Sequence, residues 1–455
     1  MTDELETPIS KIEKRCKAAN IETERNKVVI TAARTFKSEL VVLLPVGREK
    51  TRILIRNNQM AELFLSIPFE DISGVGGYQA LCSCKDGYIE ALLEFNHLQY
   101  LTWGSVYKQL QVALQKELEK EPEISNEDLS FDSDIDDSRI EVLSDEDRFS
   151  GIKVSLGWAT ETFRVLETLR RPSILLSKEG IRLVKPITIR IEGATIKTNE
   201  QAINILEKIG NSLLFQLDLL VDILMYLAIE GGRRKSRRSI PSIERSCSLA
   251  FPKYQYDSNP MALYWYASMA TDMPLLQYLA YYQVLEFYFP IFSDRSAHEI
   301  IKRTLKDPLF YSSQDVNISR LISSIKPLVN KGYGSERPAL IATLEACLTE
   351  HELRSFFKND PKRLDFFNSK QSKQKTAAFK KISIDNDNVD IINEAAERIY
   401  EIRCRIVHAK SSEAGEQSEA ILPFSKESQN LEYDIDLIKF IARKVLVGSS
   451  HPLVL

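Results

Sequence analysis

The chain has 455 residues and a formal net charge of −4, so it is long enough for more than one domain with its own core and carries no wholesale basic coat for nucleic acid. Any contact with a polyanion has to come from a local patch. Its six cysteines form no paired CxxC units, and Cys82-x-Cys84 has no second pair nearby to complete a tetrahedral metal site, so they read as reduced cytosolic thiols and no metal or other cofactor is expected.

The opening MTDELETPISKIEKRCK holds no apolar h-region, which predicts a chain that is not secreted. Residues 27 to 95 carry short β-branched or alternating runs, KVVITA, ELVVLLPV, TRILIRN, AELFLSI, YQALCSC and YIEALLEF, parted by turn residues at Pro45-Val46-Gly47, Asn57-Asn58 and Lys85-Asp86-Gly87. They predict six strands in a sheet or small barrel, with Lys85-Asp86-Gly87 as a hairpin turn and a helix over Val106 to Lys120 closing the unit. Residues 1–120 are therefore expected to form a β-rich N-terminal domain that folds alone and serves as sensor or specificity unit. Gly74-x-Gly76-Gly77 is not read as a phosphate loop, because no Lys-Ser/Thr follows and no helix pattern opens after it.

Residues 121–150 are strongly acidic and poor in large apolar side chains, the composition of a disordered linker. A second reading is an acidic decoy that occupies a basic RNA groove. Asp132, Asp134 and Asp136 lack the glycine and later glutamate of a calcium loop. Residues 151–257 open with strand-like IKVSLGW, SILLS, GIRLV and ITIRIEG and turn helical from Asn199, with Gly210 marking a bend, which makes an α+β middle unit. Within that helical stretch Leu213 to Glu230 is the most membrane-like segment, but Asp218 and Asp222 stand four apart on one face, the mark of an amphipathic helix in a soluble protein with no membrane partner. A basic cluster follows: Arg233, Arg234, Lys235, Arg237 and Arg238 are either a solvated loop between domains or a charge-only grip on an RNA backbone.

Beyond Pro260 the pattern is helical, so residues 258–455 are expected to form an all-α bundle and the whole chain an α+β multidomain protein. Two helices in it stand out. In DNVDIINEAAERIYEIRCRIVHAK, over Asp387 to Lys410, Ile392, Ala395, Ala396, Ile399, Ile402 and Ile406 recur at three- and four-residue steps and line one face. Arg403 falls within that stripe, about 40° from Ile399 at 100° per residue, so an always-charged group is aimed at an interior that needs an acid to receive it. From Met273 to Phe292 the chain is apolar almost all round, with Glu286 as its lone charge. Each is the natural partner of the other. His97, His298, His351 and His451 read as ordinary structural or surface residues, and His351-Glu352 lacks the second histidine of a zinc-protease motif.

Arg403, then Cys404, Arg405, Ile406 and Val407, then His408 resemble the Arg, four-to-six residues, His signature that ends a long helix in HEPN ribonuclease domains. LAYYQVLEFYF around Glu286 is similar to the acid-bearing helix of that family. The resemblance spans roughly residues 258 to 455 and implies a metal-independent endoribonuclease. In it His408 is general base or acid, Arg403 the phosphate clamp oriented by Glu286, and Cys404 and Arg405 line the site, giving 2′,3′-cyclic phosphate and 5′-hydroxyl ends. In a regular helix His408 lies about 140° from Arg403, so either the helix ends or distorts near Val407 or the two groups meet across an interface; the resemblance implies a homodimer, in which two motifs share one symmetric cleft. The family also implies a cytoplasmic antiviral or toxin-like bacterial effector, regulated by the N-terminal units and set off by an unknown trigger. The residue after the arginine, usually Asn or another strong polar group, is Cys404 here, which opens a second reading: an inactive HEPN-like scaffold binding RNA, nucleotide or protein. A third is purely structural, with Arg403 and Glu286 as a buried pair holding the bundle.

Overall fold

The Thr7 side chain accepts from the Ser10 amide (3.3 Å) and Pro8 opens the first turn, so the chain enters helix α1 (Pro8–Ala18) with its free amide capped. The computed structural model describes residues 7–30, 35–95, 139–144, 149, 151–170, 176–177, 180–181, 183–221, 224–230, 250–270, 273–329, 336–368, 379, 381–407, 420–423 and 425–455. The expected helix at Val106 to Lys120, most of the acidic stretch, the basic cluster Arg233 to Arg238, and His97 and His408 lie outside these residues. The chain divides into two compact units, residues 1–255 with 452–455, and residues 256–451.

In the first unit β1 (Glu22–Ile30), β2 (Thr35–Val46) and β3 (Glu49–Ile55) form an antiparallel sheet, with Gly47 at φ +58° taking the turn that a side chain would strain. AELFLSI, expected as a strand, is instead part of helix α2 (Asn58–Leu65). The Asn57 side chain accepts from the Met60 amide (2.9 Å), and Met60, Ala61 and Phe64 bury one helical face. Arg15 of α1 closes the other end of α2, donating to the carbonyls of Leu65 (2.9 Å) and Ile67 (3.2 Å) while paired with Glu70.

A seven-stranded sheet follows. Its order is β4 (Ile72–Gly74), β5 (Ala80–Ser83), β6 (Tyr88–Phe95), β11 (Ile187–Glu192), β8 (Lys153–Trp158), β7 (Arg139–Leu143), with β12 (Met225–Leu227) also on β6. The β5–β6 hairpin turns at the expected Lys85-Asp86-Gly87, with Gly87 at φ +64°. Helix α3 (Glu161–Arg170) and the short pair β9 (Leu176–Ser177) and β10 (Gly180–Ile181) lie between β8 and β11.

Two expected boundaries are overturned here. The separate units at 1–120 and 151–257 are one, because β6 pairs with β11 (Ile89↔Ile191, Leu92↔Thr188) and neither half satisfies its strand edge without the other. The stretch 121–150 is not linker throughout, since Arg139–Leu143 is a strand with Ile140 and Val142 buried. A fully buried Glu90 fastens the join: it accepts from the Thr160 amide (2.9 Å), the hydroxyls of Thr160 (2.6 Å) and Thr188 (2.8 Å), and Arg190 (3.3 Å). The helix from Asn199 runs as α4 (Asn199–Ile205), a π segment Leu206–Gly210, and α5 (Asn211–Val221). Its expected continuation to Glu230 gives way to β12, and Asp218 is buried rather than on a solvated face.

The described residues of the second unit are almost wholly helical: α6 (Ser258–Met269), α7 (Pro274–Leu305), α8 (Asp315–Val329), α9 (Glu336–Cys347), α10 (Glu350–Lys358), α11 (Pro361–Asn368), α12 (Ile391–Val407), α13 (Lys426–Gln429) and α14 (Glu432–Gly448). Its core is aromatic on α7, where Tyr278, Tyr281, Tyr282 and Tyr288 are buried, and aliphatic on α12 and α14. The expected Glu286 helix and the one expected at Asp294 to Leu305 are a single 32-residue helix. Pro290 inside it is exposed and removes the N–H that would bond the Glu286 carbonyl. Among the described residues no helix is long and apolar enough to cross a membrane.

Candidate functional site

Helix α12 is set in place by its own start. The Asp390 side chain accepts from the Asn393 amide (3.0 Å), and the Glu394 carboxylate accepts from the amide (2.6 Å) and hydroxyl (3.2 Å) of Ser383. Arg354 of α10 ties down the incoming loop at the carbonyls of Ile384, Asn386 (3.1 Å) and Val389 (3.3 Å). Ile391, Ile392, Ala395, Ala396, Ile399 and Ile402 are buried, so the apolar stripe faces the core. Tyr278 of α7 donates to the Ile399 carbonyl (3.1 Å) and fixes α7 against α12 one turn before Arg403.

Arg403 meets an acid, but the acid is Glu336, not the expected Glu286. Nη2 of Arg403 lies 3.1 Å from each carboxylate oxygen of Glu336, with hydrogen-bond geometry to Oε1. Oε2 of Glu336 is buried without a hydrogen-bond partner. The guanidinium is 16% exposed and stands 5.5 Å from the ring centre of Tyr282, whose own buried hydroxyl also lacks a hydrogen-bond partner.

Glu286, one turn beyond Tyr282 on α7, is half-buried. Burial and then the neighbouring Glu336 push its carboxyl above the ordinary range, while Arg403 pulls it back. Glu336 wins the direct pairing because it comes from the facing first turn of α9, which the Arg337–Glu397 ion pair holds to α12. On α12, burial and then the Cys404 thiol raise the Tyr400 phenol. Glu286, Tyr282, Glu336, Tyr400, Arg403 and Cys404 thus make one polar cluster where α7, α9 and α12 meet.

Arg405 is elsewhere. Its side chain is 11% exposed, pairs with Glu401 one turn back and stacks 4.8 Å from the Phe379 ring, so it is not a free rim cation. His298, His351 and His451 are exposed. His408 lies outside the described residues, as do Arg233, Arg234, Lys235, Arg237 and Arg238. Among the described residues no three metal-ligating side chains gather.

The deeply buried charge of α12 is Arg398, which is not among the site residues expected from sequence. Arg398 grips Asp434 of α14 with two bonds, 2.6 and 2.9 Å, at 5% and 1% side-chain exposure, inside a cage of Phe366, Phe367 and Phe379 rings at 5.6, 5.0 and 5.3 Å. The signal was present: Ile391, Ala395, Arg398 and Ile402 step by four, three and four, which sets Arg398 at the centre of the core face. Arg398–Asp434 is thus the buried pair holding the bundle, and Arg403 is the more accessible arginine.

No family model, no curated protein and no solved structure matches this chain.

Proposed function

We propose that the chain is a metal-independent endoribonuclease of HEPN type, with the chemistry at the end of α12. The observation that carries the reading is the division of labour between two arginines. Arg398 is consumed by Asp434 in the core, whereas Arg403, five positions ahead of His408, sits part-exposed beside an acid pair and two tyrosines. RNA cleavage by this route needs a cation on the phosphate and a group near neutral pKa to take the 2′-hydroxyl proton as the 2′-oxygen attacks phosphorus and to give a proton to the leaving 5′-oxygen. Arg403 supplies the first and His408 the second, giving 2′,3′-cyclic phosphate and 5′-hydroxyl ends. Glu286 acts on Arg403 through its field rather than by a direct bond. Two chains meet at their α12 ends, where Val407 is 47% exposed, and the homodimer brings two Arg403–His408 sets to one RNA strand. The first unit regulates this activity in a cytoplasmic defence or toxin-like effector.

The test is incubation of purified protein with mixed RNA in EDTA, with end-group analysis of the products. Arg403→Ala and His408→Ala should each lose at least about a hundredfold in cleavage rate. Undiminished cleavage by either variant would overturn the assignment. A second reading, an inactive scaffold, draws on the engagement of Arg403 by Glu336 and on Cys404 beside it. A folded wild type that binds RNA without cutting it would favour that reading.

A further inference from the structure

Among the buried side-chain atoms of the second unit that lack a hydrogen-bond partner, two belong to residues that flank the same arginine: the hydroxyl of Tyr282, whose ring centre lies 5.5 Å from the Arg403 guanidinium, and Oε2 of Glu336. Oε2 of Glu336 is still compensated by the Arg403 charge 3.1 Å away, but the Tyr282 hydroxyl bears its desolvation cost until an acceptor completes it. Tyr282 has no freedom to find water by swinging, since the residue is 1% exposed and its ring packs edge-on against Phe289 at 6.0 Å. Its hydroxyl is a donor awaiting an acceptor. Among the described residues a carboxylate engages Arg403 only at Nη2, so the 16%-exposed guanidinium keeps further N–H donors that no carboxylate occupies.

Glu336 is differently placed. It is the first residue of α9, its side chain is 33% exposed, and it shares one arginine with Glu286. A side chain at a helix start can rotate into water without breaking a helical hydrogen bond. Departure also relieves the repulsion between two carboxylates that one guanidinium cannot neutralise.

We propose that Tyr282 and Glu336 are positioning residues of a phosphodiester site: Glu336 occupies Arg403 as a stand-in anion, and an RNA phosphate displaces it, accepting from the Arg403 guanidinium and the Tyr282 hydroxyl together. Carboxylate and phosphate compete for the same planar donors, so the two occupancies exclude each other. Glu336 then sets a threshold that only a well-seated backbone crosses. The inference rests on the ribonuclease reading for the source of the phosphate and not for the existence of the site.

The experiment is fluorescence anisotropy of the full chain with a labelled, fully 2′-O-methylated RNA oligonucleotide, whose blocked 2′-oxygen prevents cleavage. Arg403→Ala should weaken binding about tenfold, and Tyr282→Phe severalfold. Glu336→Gln should tighten binding by about tenfold in the wild-type background, and the gain should vanish when combined with Arg403→Ala. A merely structural Glu336 would give no gain, or a loss indifferent to Arg403, and either result overturns the proposal. If Glu336→Gln fails to show native circular dichroism and a cooperative melt, Glu336→Asp, which draws the carboxylate back by one methylene, takes its place with the same expected sign. Cleavage of unmodified RNA is scored alongside. Tightening without any cleavage removes the ribonuclease and keeps the site, whereas cleavage without tightening removes the site and keeps the ribonuclease.

Discussion

Glu286 holds its proton more tightly than a free glutamate, because burial and Glu336 outweigh the pull of Arg403. The folded chain therefore binds this proton better than the unfolded one, and the contribution of Glu286 to stability is present below the ordinary value of 4.5 and lost as pH rises through the raised one. Glu286→Gln, which removes the charge and keeps the shape, should melt above wild type at pH 7 and coincide with it near pH 3. Calorimetry across that range checks the sign. A wild type more stable than the variant at pH 7 would mean that Arg403 binds Glu286 directly. The sequence pointed to an arginine on α12 that requires an acid, and both Arg403 and Glu286 do lie in the cluster. What it could not supply was which acid arrives, since Glu336 belongs to a different helix and its charge looks like that of any helix start. Arg398 was legible by spacing but hidden by its partner, because Asp434 stands in EYDIDLIKF among other acids and nothing local marks it as the buried one.

Strand-like runs were legible where alternation and a turn residue coincided, as at β3, β6, β8 and β11. AELFLSI fails that test in hindsight: Ala, Glu and Leu are helix formers, and Asn57 is a cap rather than a turn. At eight residues α2 is too short for periodicity alone to separate helix from strand. If the cap decides the matter, Asn57→Ala should cost about 1 kcal/mol in denaturant unfolding, while Asn57→Asp should cost little. An equal loss for both would show that packing of Phe64 and Met60 holds the helix without it. The end of the stretch at Met225–Leu227 was illegible for a different reason. Its residues suit either state, and the open edge of β6 selects the strand.

At the scale of the molecule, the seven-stranded sheet decides which pieces can stand alone. A fragment of residues 1–120 contains β6 without β11, β8 or β12, and Glu90 without Thr160, Thr188 and Arg190. It should remain unfolded or aggregate rather than form the self-sufficient domain its strand pattern promises. Residues 256–451 carry their own aromatic and aliphatic core and should fold as a cooperative helical fragment. Amide NMR spectra of the two pieces distinguish these outcomes. A dispersed spectrum from the first piece or a collapsed one from the second would show that the division of the chain at Gln255 does not govern folding.

The pairing of β6 with β11 also sets a timetable for synthesis. Translation at about 5–20 residues per second means that roughly 5–20 s pass between the appearance of β6 and that of its neighbour. Through that interval the nascent chain exposes an apolar strand edge and an unescorted Glu90 carboxylate. A contact more distant in sequence waits longer still: the Lys253 carbonyl accepts from the Leu453 amide (2.9 Å) only after the residues of the second unit have been made. Strand order thus makes the N-terminal strands depend for their sheet on a strand synthesised well after them.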